Sequence, residues 1–176
     1  DQSSIVASAA DIAALRDLPG VGIKSSIGVM QSAITGYLAA LPLLLVHRII
    51  AIKWFFSILD VLAIAVLYRS VSRTFGRGAA ALATVLYATN PWVVEFNRWI
   101  WYQSLVPTFA TLAFAALLPL TSPKPSASPL SLAVAMVAGT LMGLVHLAAM
   151  PWTALIIVIA LGIAAYHRWW RSAALG

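Results

Sequence analysis

Six long apolar runs follow one another along this chain, at Val29–Ile50, Trp54–Ser72, Ala79–Val94, Trp99–Leu120, Leu130–Ala149 and Trp152–Tyr166, with short polar links between them. No soluble core of this size hides so much apolar surface. The chain is 62% hydrophobic and 9% charged, whereas a soluble domain is about half apolar and about a quarter charged. The pattern therefore predicts an all-α, polytopic transmembrane helix bundle. Most runs approach the roughly 20 residues that a helix needs to cross a bilayer at about 1.5 Å of rise per residue. Ala79–Val94 and Trp152–Tyr166 are shorter, and flanking Trp and Arg anchors are expected to let them span.

The formal charge of +6 sits at the ends of the apolar runs. That placement marks topology and lipid-headgroup contact, and it argues against nucleic acid as a partner. Arg69, Arg73 and Arg77 form one cluster, Lys124 a second, and His167, Arg168 and Arg171 a third. Two crossings separate each cluster from the next, so all three share one face, which the positive-inside rule makes cytoplasmic. The stretch around Glu95 and Arg98 and the turn at His146–Pro151 then face outward. By the same parity Arg48–Lys53 is external. Val29–Ile50 then reads as a juxtamembrane or re-entrant helix, bent at Pro42, beside five spans. Six ordinary spans are the alternative.

The polar opening Asp1-Gln-Ser-Ser carries no signal-peptide pattern, and a start on Asp without Met is expected of a processed or trimmed chain. Residues 3–18 read as a weakly amphipathic interfacial helix with Ile5, Ile12 and Leu15 along one side, stopped by Pro19-Gly20. Val21–Gly28 is a Gly/Ser loop, and Thr121–Pro129 is a Pro/Ser link. No internal repeat is evident. One transmembrane domain, 1–176, is expected, with 1–53 as an external loop carrying juxtamembrane helices and 54–171 as the helical bundle. The chain has no cysteine, which excludes disulfides and thiol chemistry. No metal-ligand cluster, phosphate loop or nucleophile–His constellation appears.

The order of motifs resembles the polytopic GT-C glycosyltransferases, in particular the protein-mannosyltransferase and aminoarabinose-transferase superfamily. The resemblance runs over roughly residues 1–120. It rests on an Asp opening an external loop, then PGVGIKSSIG, YLAALPLLL, LYRSVSRTFGRGAAALATVLYATNPW and FNRWIWYQSLVPTFATLAFAAL. It implies a GT-C-like N-terminal part in the plasma membrane. It further implies transfer of a sugar from a polyprenyl-phosphate carrier at the outer, periplasmic face. Membrane lipids and that carrier would be the partners; no cofactor is called for, and a divalent cation at the carboxylates stays open.

With that resemblance in hand, Asp1 is the candidate base, since inverting glycosyl transfer needs a carboxylate to deprotonate the acceptor. Its bland reading is a solvated chain end. Arg98 is the candidate phosphate ligand, because a guanidinium holds two phosphate oxygens at once and stays charged; otherwise it is an interfacial anchor paired with Glu95, three residues away on one helix face. Lys24 is a second candidate phosphate contact beside Ser25 and Ser26, or else an ordinary exposed lysine. Gln103 could hydrogen-bond a sugar hydroxyl, or serve as a helix contact. His146 reads first as a histidine satisfied by a neighbouring helix. Asp60 lies inside a span, where a charge costs at least about 2.5 kcal/mol and must find a partner facing the interior. Tryptophans at 92, 99, 101, 152, 169 and 170 read as interfacial anchors, and Ala79–Ala81 with Gly139 and Gly143 as close-packing residues.

A competing reading is a non-catalytic GT-C-like subunit of a larger membrane complex, bioenergetic or photosynthetic. Its motivation is the chain's short length and the amides at Gln2 and Gln103, where such enzymes usually carry acids. The Met30-Gln-Ser-Ala stretch also lacks the family's prolines. A transporter or channel is weaker, for want of paired intramembrane charges or inverted repeats.

Overall fold

The computed structural model describes residues 2–24, 28–121 and 129–174. Among these residues every regular element is helical apart from one backbone bridge between Lys24 and Met30. The α-helices are α1 (Gln2–Ala13), α2 (Ile34–Leu43), α3 (Ile50–Phe75), α4 (Arg77–Ala88), α5 (Pro91–Arg98), α6 (Val106–Leu117), α7 (Pro129–Val145) and α8 (Met150–Ala174). Short 3-10 turns lead into α6 and α8.

Three stretches are long and apolar enough to cross a membrane: Ile50–Phe75, Tyr102–Thr121 and Leu147–Tyr166. Their outward faces carry Trp54, Ile58, Val61, Leu155 and Val158, with Val61 63% exposed. A surface so apolar suits lipid as its surroundings. α6 is the most enclosed of the three. It lies between α3 and α7, with α4 against α3, α8 against α7, and α1 packed on α2, which touches α3 and α7. The core runs through this arrangement from Ile5, Ile12 and Leu43 to Phe56, Leu105, Phe109, Met142 and Ile156.

Several boundaries differ from the sequence reading, each for a local reason. α1 ends at Ala13, because Leu15 turns left-handed (φ 54°) and the Arg16 N–H donates to the Asp11 carbonyl at 2.9 Å. Leu15, expected on the buried side, is 77% exposed, and Ala9 takes its place between Ile5 and Ile12. The Val29–Ile50 run holds only the 10 residues of α2, about 15 Å against a hydrocarbon core of about 30 Å. Pro42 lies inside the last turn of this helix, which ends at Leu43, and beyond it the chain tightens into turns such as Leu45 N–H to Pro42 O at 3.2 Å.

Ala79–Val94 does not form one helix. α4 stops at Ala88, Asn90 adopts an extended ψ of 121°, and Pro91 starts α5 in a new direction. Proline disfavours the helical conformation in the residue before it and has no N–H for the preceding turn. The Leu130–Ala149 run likewise breaks at His146, whose backbone is extended.

Candidate functional site

The break between α4 and α6 builds an elbow, and its architecture begins with two caps. The Asn90 side chain accepts from the Trp92 N–H at 2.9 Å and starts α5. At the other end the Ser104 hydroxyl donates to the Trp99 carbonyl at 2.7 Å and accepts from the Trp101 N–H at 3.0 Å. Between the caps lie eight residues, Pro91-Trp-Val-Val-Glu-Phe-Asn-Arg98, of which only Val93 is buried.

Glu95 and Arg98 meet at 3.8 Å as the helical spacing anticipates, and both side chains are exposed. A contact of this kind holds little energy, so the guanidinium is free to exchange it for another anion. The Trp99 indole N–H donates to Glu95 at 2.8 Å, and the Trp99 and Trp101 rings stack with centroids 5.5 Å apart. Trp92 leans on Phe96 and is largely exposed, as is Trp152 on α8, in keeping with interfacial anchoring. The side chains of Trp169 and Trp170 lie outside those described.

The Gly/Ser loop docks onto this elbow. The Ile23 N–H donates to the Tyr102 hydroxyl at 3.1 Å across 79 residues of sequence. The loop closes on itself through Gly22 N–H to Gln31 O at 2.8 Å and Gln31 N–H to Ile23 O at 3.1 Å. Lys24, next to Ile23, is exposed. Gln103 is half-buried in the 3-10 turn that presents Tyr102. Lys24, Glu95, Arg98 and Gln103 are thus carried by a loop and an elbow that touch each other. Asp1, Ser25 and Ser26 lie outside the described residues.

Beneath the elbow sits a constellation whose members the sequence did not connect. Asp60, 7% exposed on α3, accepts from the Tyr87 hydroxyl of α4 at 2.6 Å, the Asn97 amide of α5 at 2.9 Å and the Thr108 hydroxyl of α6 at 3.1 Å. The expectation that an acid inside a span faces the interior and finds partners is met. Those partners are all neutral donors. Among the described residues no Lys or Arg side chain pairs with Asp60. Three donors meet its two oxygens, so the buried carboxyl group keeps hydrogen-bond partners away from water. Tyr87, Asn97 and Thr108 stand 27, 37 and 48 residues away, so only the tertiary arrangement reveals them.

Comparison with family models, with curated proteins and with solved structures finds no match. The site is therefore read from its chemistry. It offers an exposed Arg98–Glu95 pair beside stacked tryptophans, one hydrogen bond from the loop that carries Lys24, and a buried carboxyl group tied to the same elbow. Among the described residues no group of three or more His, Asp or Glu side chains gathers to hold a metal ion.

His146 departs from its expectation. Its Nδ1 is buried without a hydrogen-bond partner among the described residues, and burial holds its pKa below the ordinary 6.5. A histidine kept neutral in the folded state contributes stability that is present above pH 6.5 and is lost as pH falls through that value toward the folded pKa. Thermal unfolding in nanodiscs at pH 7.5 and pH 5.5 is expected to show a smaller acid-side drop in His146→Gln than in the wild type. Equal drops in the two proteins would remove this role.

Proposed function

We propose that the chain is a membrane glycosyltransferase, or a piece of one, that takes a sugar from a polyprenyl-phosphate donor at the outer face of the plasma membrane. The observation that carries this reading is the Ile23–Tyr102 hydrogen bond, which draws the Lys24 loop onto the elbow that carries Arg98. Two cations on adjoining segments at one end of a lipid-exposed bundle suit a lipid-linked phosphate. The GT-C-like motif order read from the sequence supplies the reaction class.

In this proposal the bundle crosses five times, with α4 and α7 as short passes. α1 and α2 then form an external wall, and Arg69, Arg73 and Arg77 lie at the cytoplasmic end. An acceptor hydroxyl gives its proton to the Asp1 carboxylate, and its oxygen bonds to the anomeric carbon. The bond from that carbon to the phosphate oxygen breaks, and polyprenyl phosphate departs with the electron pair. Arg98 and Lys24 stabilise the charge that develops on the departing phosphate. Arg98 leaves Glu95 to do so, which costs little because the pair is exposed.

The probe is undecaprenyl phosphate titrated into the protein in nanodiscs. Arg98→Gln and Lys24→Gln are each expected to weaken binding roughly tenfold, the scale of one charge-assisted hydrogen bond, without shifting the unfolding temperature. Wild-type affinity in both variants would sink the clamp. Asp1→Asn is expected to leave that affinity intact and to abolish transfer.

The alternative reading, a non-catalytic membrane subunit, draws on Gln103, an amide that cannot take a proton. Native mass spectrometry of the complex released from membranes separates the two. A stable larger assembly that does not bind undecaprenyl phosphate favours the subunit.

A further inference from the structure

We infer that Asp60 is the positioning residue of the elbow. Through Asn97 it holds α5, and with it Arg98 and Trp99, in place against α3.

The two carboxylate oxygens divide the work. Oδ1 accepts from Tyr87 at 2.6 Å and from Thr108 at 3.1 Å, so α4 and α6 orient the group. Oδ2 then faces α5 and accepts from the Asn97 amide at 2.9 Å. The other polar and ring contacts of this helix are local. Val93 is its one buried residue, the Glu95–Arg98 pair and the Trp92–Phe96 contact lie within α5 itself, and the Glu95–Trp99 hydrogen bond reaches only the residue after it. The Asn90 cap and the Ser104 clamp act on the chain at its two ends. Among the described residues, Asn97 to Asp60 is the only side-chain hydrogen bond that leaves α5 for another helix. An eight-residue helix with one buried side chain swings more freely unless a further tie fixes it to the bundle. A hydrogen bond to a carboxylate in a nearly dry site is the strong kind. Asn97 immediately precedes Arg98, so the pin sets where the guanidinium points. Asp60 itself stays below the rim and acts only through Asn97.

The effect on Arg98 rests on the reading given under Proposed function; the pinning of α5 does not. The test is amide hydrogen exchange of the protein in nanodiscs, comparing residues 91–98 with 130–145 and 150–166. Asn97→Ala is expected to speed exchange in 91–98 at least roughly tenfold, the loss of one hydrogen bond to a charged group, and to leave the two control segments unchanged. The exchanged pair Asp60→Asn with Asn97→Asp puts the donor on α3 and the acceptor on α5, and is expected to restore wild-type protection. Asn97→Ala within twofold of wild type would overturn the inference. A rise spread equally over all three segments, or an exchanged pair as open as Asn97→Ala, would overturn it too. In parallel, Asn97→Ala is expected to weaken undecaprenyl phosphate binding, and Arg98→Gln added to it to cause little further loss. If the wild type does not bind undecaprenyl phosphate, the functional reading fails, and the exchange result still decides the pin.

Discussion

Asp60→Ala is expected to destabilise the folded protein by about 3 kcal/mol, while Asp60→Asn costs about 1 kcal/mol or less. Alanine removes one acceptor group and leaves the Tyr87 hydroxyl, the Thr108 hydroxyl and the Asn97 amide facing each other below the elbow. A buried donor left without a partner costs about 1–3 kcal/mol. Tyr87 and Thr108 converge on one oxygen, so they can turn toward each other and recover part of that loss. Removing a carboxylate from a nearly dry site also returns its desolvation cost, which works in the opposite direction. The orphaned donors win because the native carboxyl group is already met by three hydrogen bonds. Asparagine keeps an oxygen for Tyr87 and Thr108, and the Asn97 amide can turn over to accept from the new NH2. Unfolding by SDS in mixed micelles, followed by tryptophan fluorescence, measures both variants. An alanine variant as stable as the wild type would mean that the four elements meet here without depending on the carboxylate.

Asp60 also marks how far the sequence could be read. A charge inside an apolar run is costly enough that its orientation follows from one residue. Its partners do not follow, because hydropathy carries no information about which polar residue of a distant helix stands at the same depth. Arg98 and Glu95 belong to the legible side. Their spacing of three residues puts them on one helix face, and they meet at 3.8 Å. The approach of Lys24 to the elbow belongs to the other side, since it depends on a backbone N–H finding a tyrosine hydroxyl 79 residues on.

The helix boundaries teach the same lesson in backbone terms. α3 runs three to four residues past each expected end, from Ile50 to Phe75, and stops where Gly76 takes φ 91° and ψ 168°, a conformation open to glycine. The run Ala79–Val94 carries no charged residue and is mostly apolar, so averaging hydropathy along it returns one span. What divides it is stereochemistry: Asn90 precedes a proline and caps the next helix with its own side chain. Apolarity says which segments leave water; proline, asparagine and glycine say where the helix within them ends.

Gly139→Ala is expected to destabilise the α7–α8 pair by about 2 kcal/mol, in the range for forcing extra atoms into a packed contact, whereas Gly162→Ala on α8 stabilises by up to about 1 kcal/mol. The two substitutions add the same methyl group and differ only in what it meets. A Cβ at Gly139 lies 2.8 Å from Ile156 Cγ2 and 3.4 Å from Ile156 Cβ; at Gly162 nothing stands within 4 Å. Ile156 is branched at Cβ and stiff in its first torsion, so it cannot turn aside without moving α8. Gly143, one turn along α7, is equally crowded: its Cβ would lie 2.6 Å from Thr153 Oγ1. That hydroxyl donates to the Gly139 carbonyl at 2.7 Å, so Gly143→Ala must break a hydrogen bond between the helices in order to fit. Small residues four apart let two backbones approach in lipid, where no hydrophobic force brings helices together and close contact is the attraction. Ile156→Ala combined with Gly139→Ala exchanges a large residue for a small one across the contact, and is expected to recover part of the loss. If Gly139→Ala and Gly162→Ala give the same unfolding profile in SDS, close approach at Gly139 contributes nothing to the α7–α8 pair.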